Sequence, residues 1–284
     1  MRGLAASVLA ALLVTAPQDT AVFHGATHGV TVDVTVFDGR TIVSSLGAQD
    51  FEVADNGAPQ AVVSVSPNRL PIDLRLIFDT SGSISAQELD MYRRAMRSVA
   101  DALKPDDRCE IVGFTTRVTS VAPRQSPPIT IDLQRMLPDG TAFFDAVSLG
   151  LITVPSLDRR QIVIVLSDAQ DNASFFDEAT LMDAAKRTDA VVYTVLPARI
   201  GSDEPHYVAR LQALSLLTGG RLVQAAKDSE VGTTIIDAIE EFRSSYVVRY
   251  TLGGTVKPGW HALGVKVRGP HKYTVRARPG YFID

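Results

Sequence analysis

The chain has 284 residues, 45% hydrophobic and 21% charged, a globular balance with length for one good core and a smaller unit. A net charge of -4 and an aromatic content of 7% argue against nucleic acid or a charged membrane surface as partner. One cysteine, Cys109, excludes an intramolecular disulfide and a CxxC or Cys/His zinc site.

Met1-Arg2 precedes an apolar run from Leu4 to Val14 and the small residues Thr15-Ala16. One positive charge, a short apolar stretch and small residues describe a secretory signal peptide, assigned to 1–21. The run is short for a membrane span, so an exported mature protein without a span is expected, periplasmic or extracellular, with an uncleaved N-terminal anchor as the variant.

Residues 28–70 read as a small N-terminal β module. Val30, Val32, Val34 and Val36 alternate as in a half-buried strand. Asn56-Gly57 between extended runs is a strong hairpin signal. From 73 to 240, strands and helices alternate. Leu74 to Phe78, Cys109 to Phe114, Ile162 to Leu166 and Val191 to Leu196 are predicted strands. Gln87 to Leu103, Thr141 to Ile152, Glu178 to Arg187, Val208 to Leu217 and Ser229 to Arg243 are predicted helices, the last with Ser229 as N-cap. Cys109 reads as a small core residue. The alternation predicts an α/β fold with a doubly wound, mostly parallel sheet. From 245 to 284, strands return, and they are expected to pair with the N-terminal strands into a smaller antiparallel module.

Asp79-Thr80-Ser81-Gly82-Ser83 follows the strand ending at Phe78. An Asp and two Ser at alternate positions gather small oxygen ligands at the carboxyl edge of a sheet, where open α/β folds bind ligands. Seen alone, the stretch also fits a strand-turn-helix with Ser83 or Ser85 as N-cap. Asp139-Gly140-Thr141 puts a hydroxyl at a loop-to-helix junction, and Ser167-Asp168 follows another strand end. Together, Asp79, Ser81, Ser83, Thr141 and Asp168 resemble the metal-ion-dependent adhesion site of the von Willebrand factor type A domain. Asp50-Phe51-Glu52-Val53, Asp55-Asn56-Gly57 and the closing Pro279-Gly280-Tyr281-Phe282 are similar to flanks of exported bacterial proteins, of the acidobacterial type, described as von Willebrand factor A-related.

The resemblance implies that these five residues surround Mg²⁺ or Mn²⁺, with Ca²⁺ a further option. The hydroxyls bind directly and at least one Asp acts through water. A partner protein's Asp or Glu carboxylate then takes the open position, in a non-enzymatic, adhesion-type module. Ala169 departs from the family, which often has Gly there; its methyl group conflicts with a backbone at positive φ. Two alternatives remain: a metal-independent scaffold and a metal-assisted hydrolase. The second lacks an acid two residues after Asp79, where Ser81 stands, and has no Gly-x-Ser-x-Gly elbow. Asp145 reads as a helix first-turn acid and Asp171 as a loop hydrogen-bonding residue.

Overall fold

A computed structural model describes residues 28–67, 70–82, 84–131, 133–134, 140–152, 158–198, 205–253 and 256–283. The predicted signal peptide, Ser83 and Asp139 lie outside the described residues. In chain order the strands and helices are β1 (His28–Asp38), β2 (Thr41–Ile42), β3 (Phe51–Asp55), β4 (Ala58–Pro67), β5 (Ile72–Asp79), α1 (Ala86–Ala102), β6 (Arg108–Phe114), β7 (Val118–Gln125), α2 (Phe143–Leu151), β8 (Arg160–Leu166), α3 (Glu178–Arg187), β9 (Val191–Leu196), α4 (Pro205–Leu217), β10 (Leu222–Gln224), α5 (Val231–Arg243), β11 (Tyr246–Leu252), β12 (Gly259–Val267), β13 (Thr274–Arg276) and β14 (Gly280–Ile283).

Two sheets organise the described residues. One is antiparallel and eight-stranded, in the order β13-β1-β11-β4-β3-β12-β14, with β2 on β1. The other is six-stranded, in the order β10-β9-β8-β5-β6-β7. Its pairings are parallel from β10 to β6, and β7 joins β6 antiparallel. The expectation of a doubly wound, mostly parallel sheet with a smaller antiparallel module is therefore corrected. The antiparallel sheet is the larger, and the second sheet is mixed, with five α-helices around it. Strand β7 escaped notice because Pro123 interrupts its alternation. A proline without an N–H suits an edge strand, and β7 is the edge.

Strands from the two ends of the chain interleave in the antiparallel sheet. His28 to Val34 pair with Leu252 to Tyr246, and Phe51 to Asp55 pair with Val267 to Leu263. Val32, Val34, Val36, Phe51, Tyr246, Val248 and Tyr250 form its core. The β3-β4 turn is the predicted hairpin: Asp55 pairs with Ala58, and Asn56 and Gly57 take φ of 48° and 80°. Those left-handed angles are what a two-residue turn of primed type demands.

The mixed sheet is buried on both faces. On one, α1 and α5 cover Leu74, Leu76 and Phe78; on the other, α2, α3 and α4 cover Ile77, Val163 and Val165. Ser85 caps α1 in a capping box with Glu88, their bonds being 3.2 and 2.6 Å. Ser229 does not cap α5. It sits inside a short 3₁₀ turn, Asp228–Glu230, that leads into the helix. Cys109 is buried, and burial pushes its thiol up to about 12, as befits an inert core side chain. No helix of the described residues is long and apolar enough to cross a membrane.

Glu241 on α5 ties the sheets together. It accepts from Arg221 at 2.7 Å, from Tyr193 at 3.1 Å and from Arg276 of β13. These charge-assisted bonds hold Glu241 below its ordinary range, against a desolvation that pushes the other way.

A second buried polar cluster sits in the antiparallel sheet. Asp55 accepts from the Tyr250 and Tyr281 hydroxyls at 3.0 and 2.6 Å, and its other oxygen lies 2.7 Å from His261 Nδ1. His261 Nε2 lies 2.8 Å from the Lys257 carbonyl. Both ring nitrogens thus face acceptors, a setting that the doubly protonated imidazolium satisfies. The Lys257 carbonyl and the Asp55 carboxylate raise the His261 pKa, with desolvation opposing them.

A raised folded-state pKa means that this stabilisation is complete below about pH 6.5, the unfolded value, and is lost as pH rises through the folded value. The urea midpoint of the wild type should therefore fall between about pH 5.5 and about pH 8.5 by more than that of His261→Gln, in which this contribution is gone.

Candidate metal centre

Strands β5 and β8 are parallel neighbours with Phe78 opposite Leu166. Their chains leave the sheet side by side, so the stretches beginning at Asp79 and Ser167 start next to each other. This is the carboxyl edge predicted for the oxygen cluster.

The first stretch turns back on itself. Asp79 is 6% exposed, and its Oδ1 accepts the Ser81 N–H at 2.7 Å. Thr80 anchors the loop to the end of β6 by donating its N–H and its hydroxyl to the Phe114 carbonyl at 2.9 and 3.0 Å. The Ile84 N–H closes a turn onto the Ser81 carbonyl, and α1 starts behind it under its Ser85 cap. The cap is thus Ser85, and Ser81 is fully buried at the edge of the sheet.

The second stretch carries Asp168, half-buried, with Oδ1 accepting from the Gln170 N–H at 3.0 Å. Ala169 takes φ of 63°, the left-handed region in which an alanine is strained. Two bonds hold it there. Its N–H donates to Ser167 Oγ at 3.0 Å, and its carbonyl accepts from Arg210 Nη1 at 2.7 Å. Arg210 lies on α4 and also pairs with Glu178 at 2.8 Å. No motif in the sequence pointed to Arg210.

Thr141 is bound to both neighbouring loops. Its N–H donates to Asn172 Oδ1 at 2.8 Å, and its carbonyl accepts from the Asn172 and Ala173 N–H groups. The Ala142 N–H donates to the Thr115 carbonyl at 2.6 Å. Gly140 precedes with φ of 140°, where a Cβ would meet Thr116 Cγ2 at 2.4 Å. Asp171 takes a loop hydrogen-bonding role, accepting from the Phe144 N–H and the Ser174 hydroxyl. Asp145 accepts the N–H groups of Phe175 and Phe176 at 3.0 and 2.9 Å.

Asp79, Ser81, Thr141 and Asp168 thus lie on loops of one sheet edge that are bonded to one another or spring from paired strand ends. Burial pushes the Asp79 carboxyl up to about 6; the Ser81 bonds pull it down, while the negative charges of Asp168 and Glu88 add to the rise. A buried carboxylate with a second acidic side chain near it fits a cation. The Thr141 hydroxyl makes no hydrogen bond among the described residues and adds a neutral oxygen. Among the described residues no group of three or more His, Cys, Asp or Glu could hold a metal ion. Any cation at this edge therefore depends on hydroxyl oxygens as well as carboxylates, the donor set of a hard divalent ion.

A folded-state pKa of about 6 against 3.8 unfolded means that ionised Asp79 destabilises the metal-free fold above that range. Asp79→Asn should raise metal-free stability at neutral pH by about 2–3 kcal/mol, because the Asn side chain keeps an acceptor for Ser81 without the charge. Urea unfolding in EDTA checks this; an unchanged or lowered midpoint would contradict it.

No protein-family model matches the chain. The uncharacterized protein sll0103 of Synechocystis sp. is 29% identical over 110 residues, which are 36% of this chain and 26% of that protein. Inter-alpha-trypsin inhibitor heavy chain H4 of Homo sapiens is 20% identical over 198 residues, 64% of this chain and 21% of that protein. The chain thus spans about a quarter of the length of the curated relatives it matches. The crystal structure of the ArnB paralog VWA2 from Sulfolobus acidocaldarius aligns with a TM-score of 0.50 at 9% identity, over 91% of this chain and 76% of that one. At such identity the likeness is one of fold alone. The chain is similar in fold to von Willebrand factor type A proteins.

Proposed function

We propose that this chain is an exported, non-enzymatic protein-binding module. Asp79, Ser81, Thr141 and Asp168, with Ser83 from the same sequence motif, would hold a divalent cation, Mg²⁺ or Mn²⁺. The observation that carries this reading is the buried Asp79 carboxylate, bonded to Ser81 and facing the charge of Asp168 at the carboxyl edge of the sheet. When bound, the cation supplies a Lewis-acidic anchor for an Asp or Glu carboxylate of a partner protein.

The chain's own residues do the rest. The Asp79–Ser81 bond fixes the first loop, and Asn172 fixes Thr141. Arg210 holds the carbonyl after Asp168 and so sets the direction in which that loop leaves the strand. The hydroxyls add no charge, so only Asp79 and Asp168 offset the cation, directly or through water, and an anionic partner group can still be drawn to it. Ser81, two residues after Asp79, has no acidity suited to proton transfer, which argues against hydrolysis.

Isothermal titration with Mg²⁺ and with Mn²⁺ tests the reading. Wild type should bind one ion, and Asp79→Ala or Thr141→Ala should weaken binding by more than about tenfold. Saturating ion should also raise the wild-type melting midpoint and leave that of Asp79→Ala unmoved. Equal binding by wild type and Asp79→Ala would remove the site, and no binding by wild type would favour a metal-independent scaffold.

A further inference from the structure

A cavity of about 450 Å³ lies at the opposite, amino-terminal edge of the mixed sheet. The first residues of β8 and β9 form one wall, β1 and β11 form another, and Tyr281 and Ile283 of β14 border it. The volume is that of a small-molecule site. Its charged lining is Arg159, Arg160, Arg249 and Arg278 against Asp33 and Asp189.

These charges do not balance. Arg160 pairs with Asp33 at 2.5 Å and also donates to Ser245 Oγ at 2.7 Å. Arg159 donates to the Asp106 carbonyl at 2.5 Å and lies 3.7 Å from Asp73, outside the cavity. Arg278 donates to three carbonyls, those of Gly280, Thr188 and Lys186, at 2.7, 2.9 and 2.9 Å, and forms no ion pair among the described residues. Burial lowers its pKa, and the charges of Asp189 and Asp33 only partly restore it. Arg249 is exposed between the buried Val248 and Tyr250, and its side chain makes no hydrogen bond or ion pair among the described residues. Among the described residues, two guanidinium groups therefore line this cavity without an ion-paired carboxylate, Asp189 acting on Arg278 only through its charge.

We propose that this cleft binds a small oxyanion-bearing molecule, with its carboxylate or phosphate group held by Arg249 and Arg278. The planar guanidinium fork matches either group with two parallel bonds. Arg278 is held in place by its three carbonyls, so little side-chain freedom is lost on binding, and Arg249 supplies the second charge from the wall of β11. The site lies at the end of the sheet away from Asp79 and does not depend on a cation there.

Titration calorimetry of the full chain in EDTA, at constant ionic strength, with inorganic phosphate and separately with citrate, tests the proposal. At least one anion should bind saturably with one-to-one stoichiometry, and which one binds distinguishes phosphate from carboxylate recognition. Arg249→Gln removes an exposed side chain without bonds, so the fold should persist, and affinity should fall by about tenfold or more. Arg249→Glu should abolish binding. The proposal is overturned if neither anion binds saturably, or if Arg249→Gln binds as wild type does.

Discussion

Asp79 is held out of water at the point where two parallel strands release their chains. The register of β5 on β8 decides this, because Phe78 opposite Leu166 makes both strands end at one level. A carboxylate in that position must be neutralised, protonated or paired. The Ser81 N–H supplies one bond, but Asp168 adds a second negative charge beside it. The other polar groups along this edge, Thr80, Thr141 and Asn172, serve to fix loops. A divalent cation, bound as proposed, would offset these two charges.

The antiparallel sheet gives this edge its frame. Strands of the two flanks interleave, so β1 and β3 each gain a neighbour only when β11 and β12 return. Charged side chains link the two sheets. Glu241 gathers Arg221, Arg276 and Tyr193, while Arg278 reaches the carbonyls at the end of α3 and just beyond. The cleft bordered by β1, β8, β9 and β11 lies between these links. The molecule therefore presents two chemically different ends, acidic oxygens at the carboxyl edge and guanidinium groups at the amino edge.

Local chemistry was legible in the sequence where one short segment decides the outcome. Asn56-Gly57 announced its turn, and the run Ile162 to Leu166 announced a strand buried on both faces. The candidate edge was legible for the same reason, since Asp79 and Asp168 directly follow apolar runs. Long-range pairing was not. The C-terminal strands alternate one by one, but their partners lie at the other end of the chain, so the size of the antiparallel sheet was not legible. Pro123 hid β7, whose pairing with β6 also shifts register. Ala169 raised the question of positive φ, but its answer lies in Ser167 and Arg210, the latter 41 residues away on another helix. Such a bond leaves no periodic trace in a sequence.

In the proposed function, oxygens from separate loops share one cation. Anomalous diffraction from a crystal saturated with Mn²⁺ addresses it most directly. The account predicts a peak at the carboxyl edge of β5 and β8, within about 2.3 Å of the Ser81 and Thr141 hydroxyl oxygens, with Asp79 and Asp168 bound directly or through water. An empty edge in such a crystal, or a peak bonded to neither hydroxyl, would contradict it.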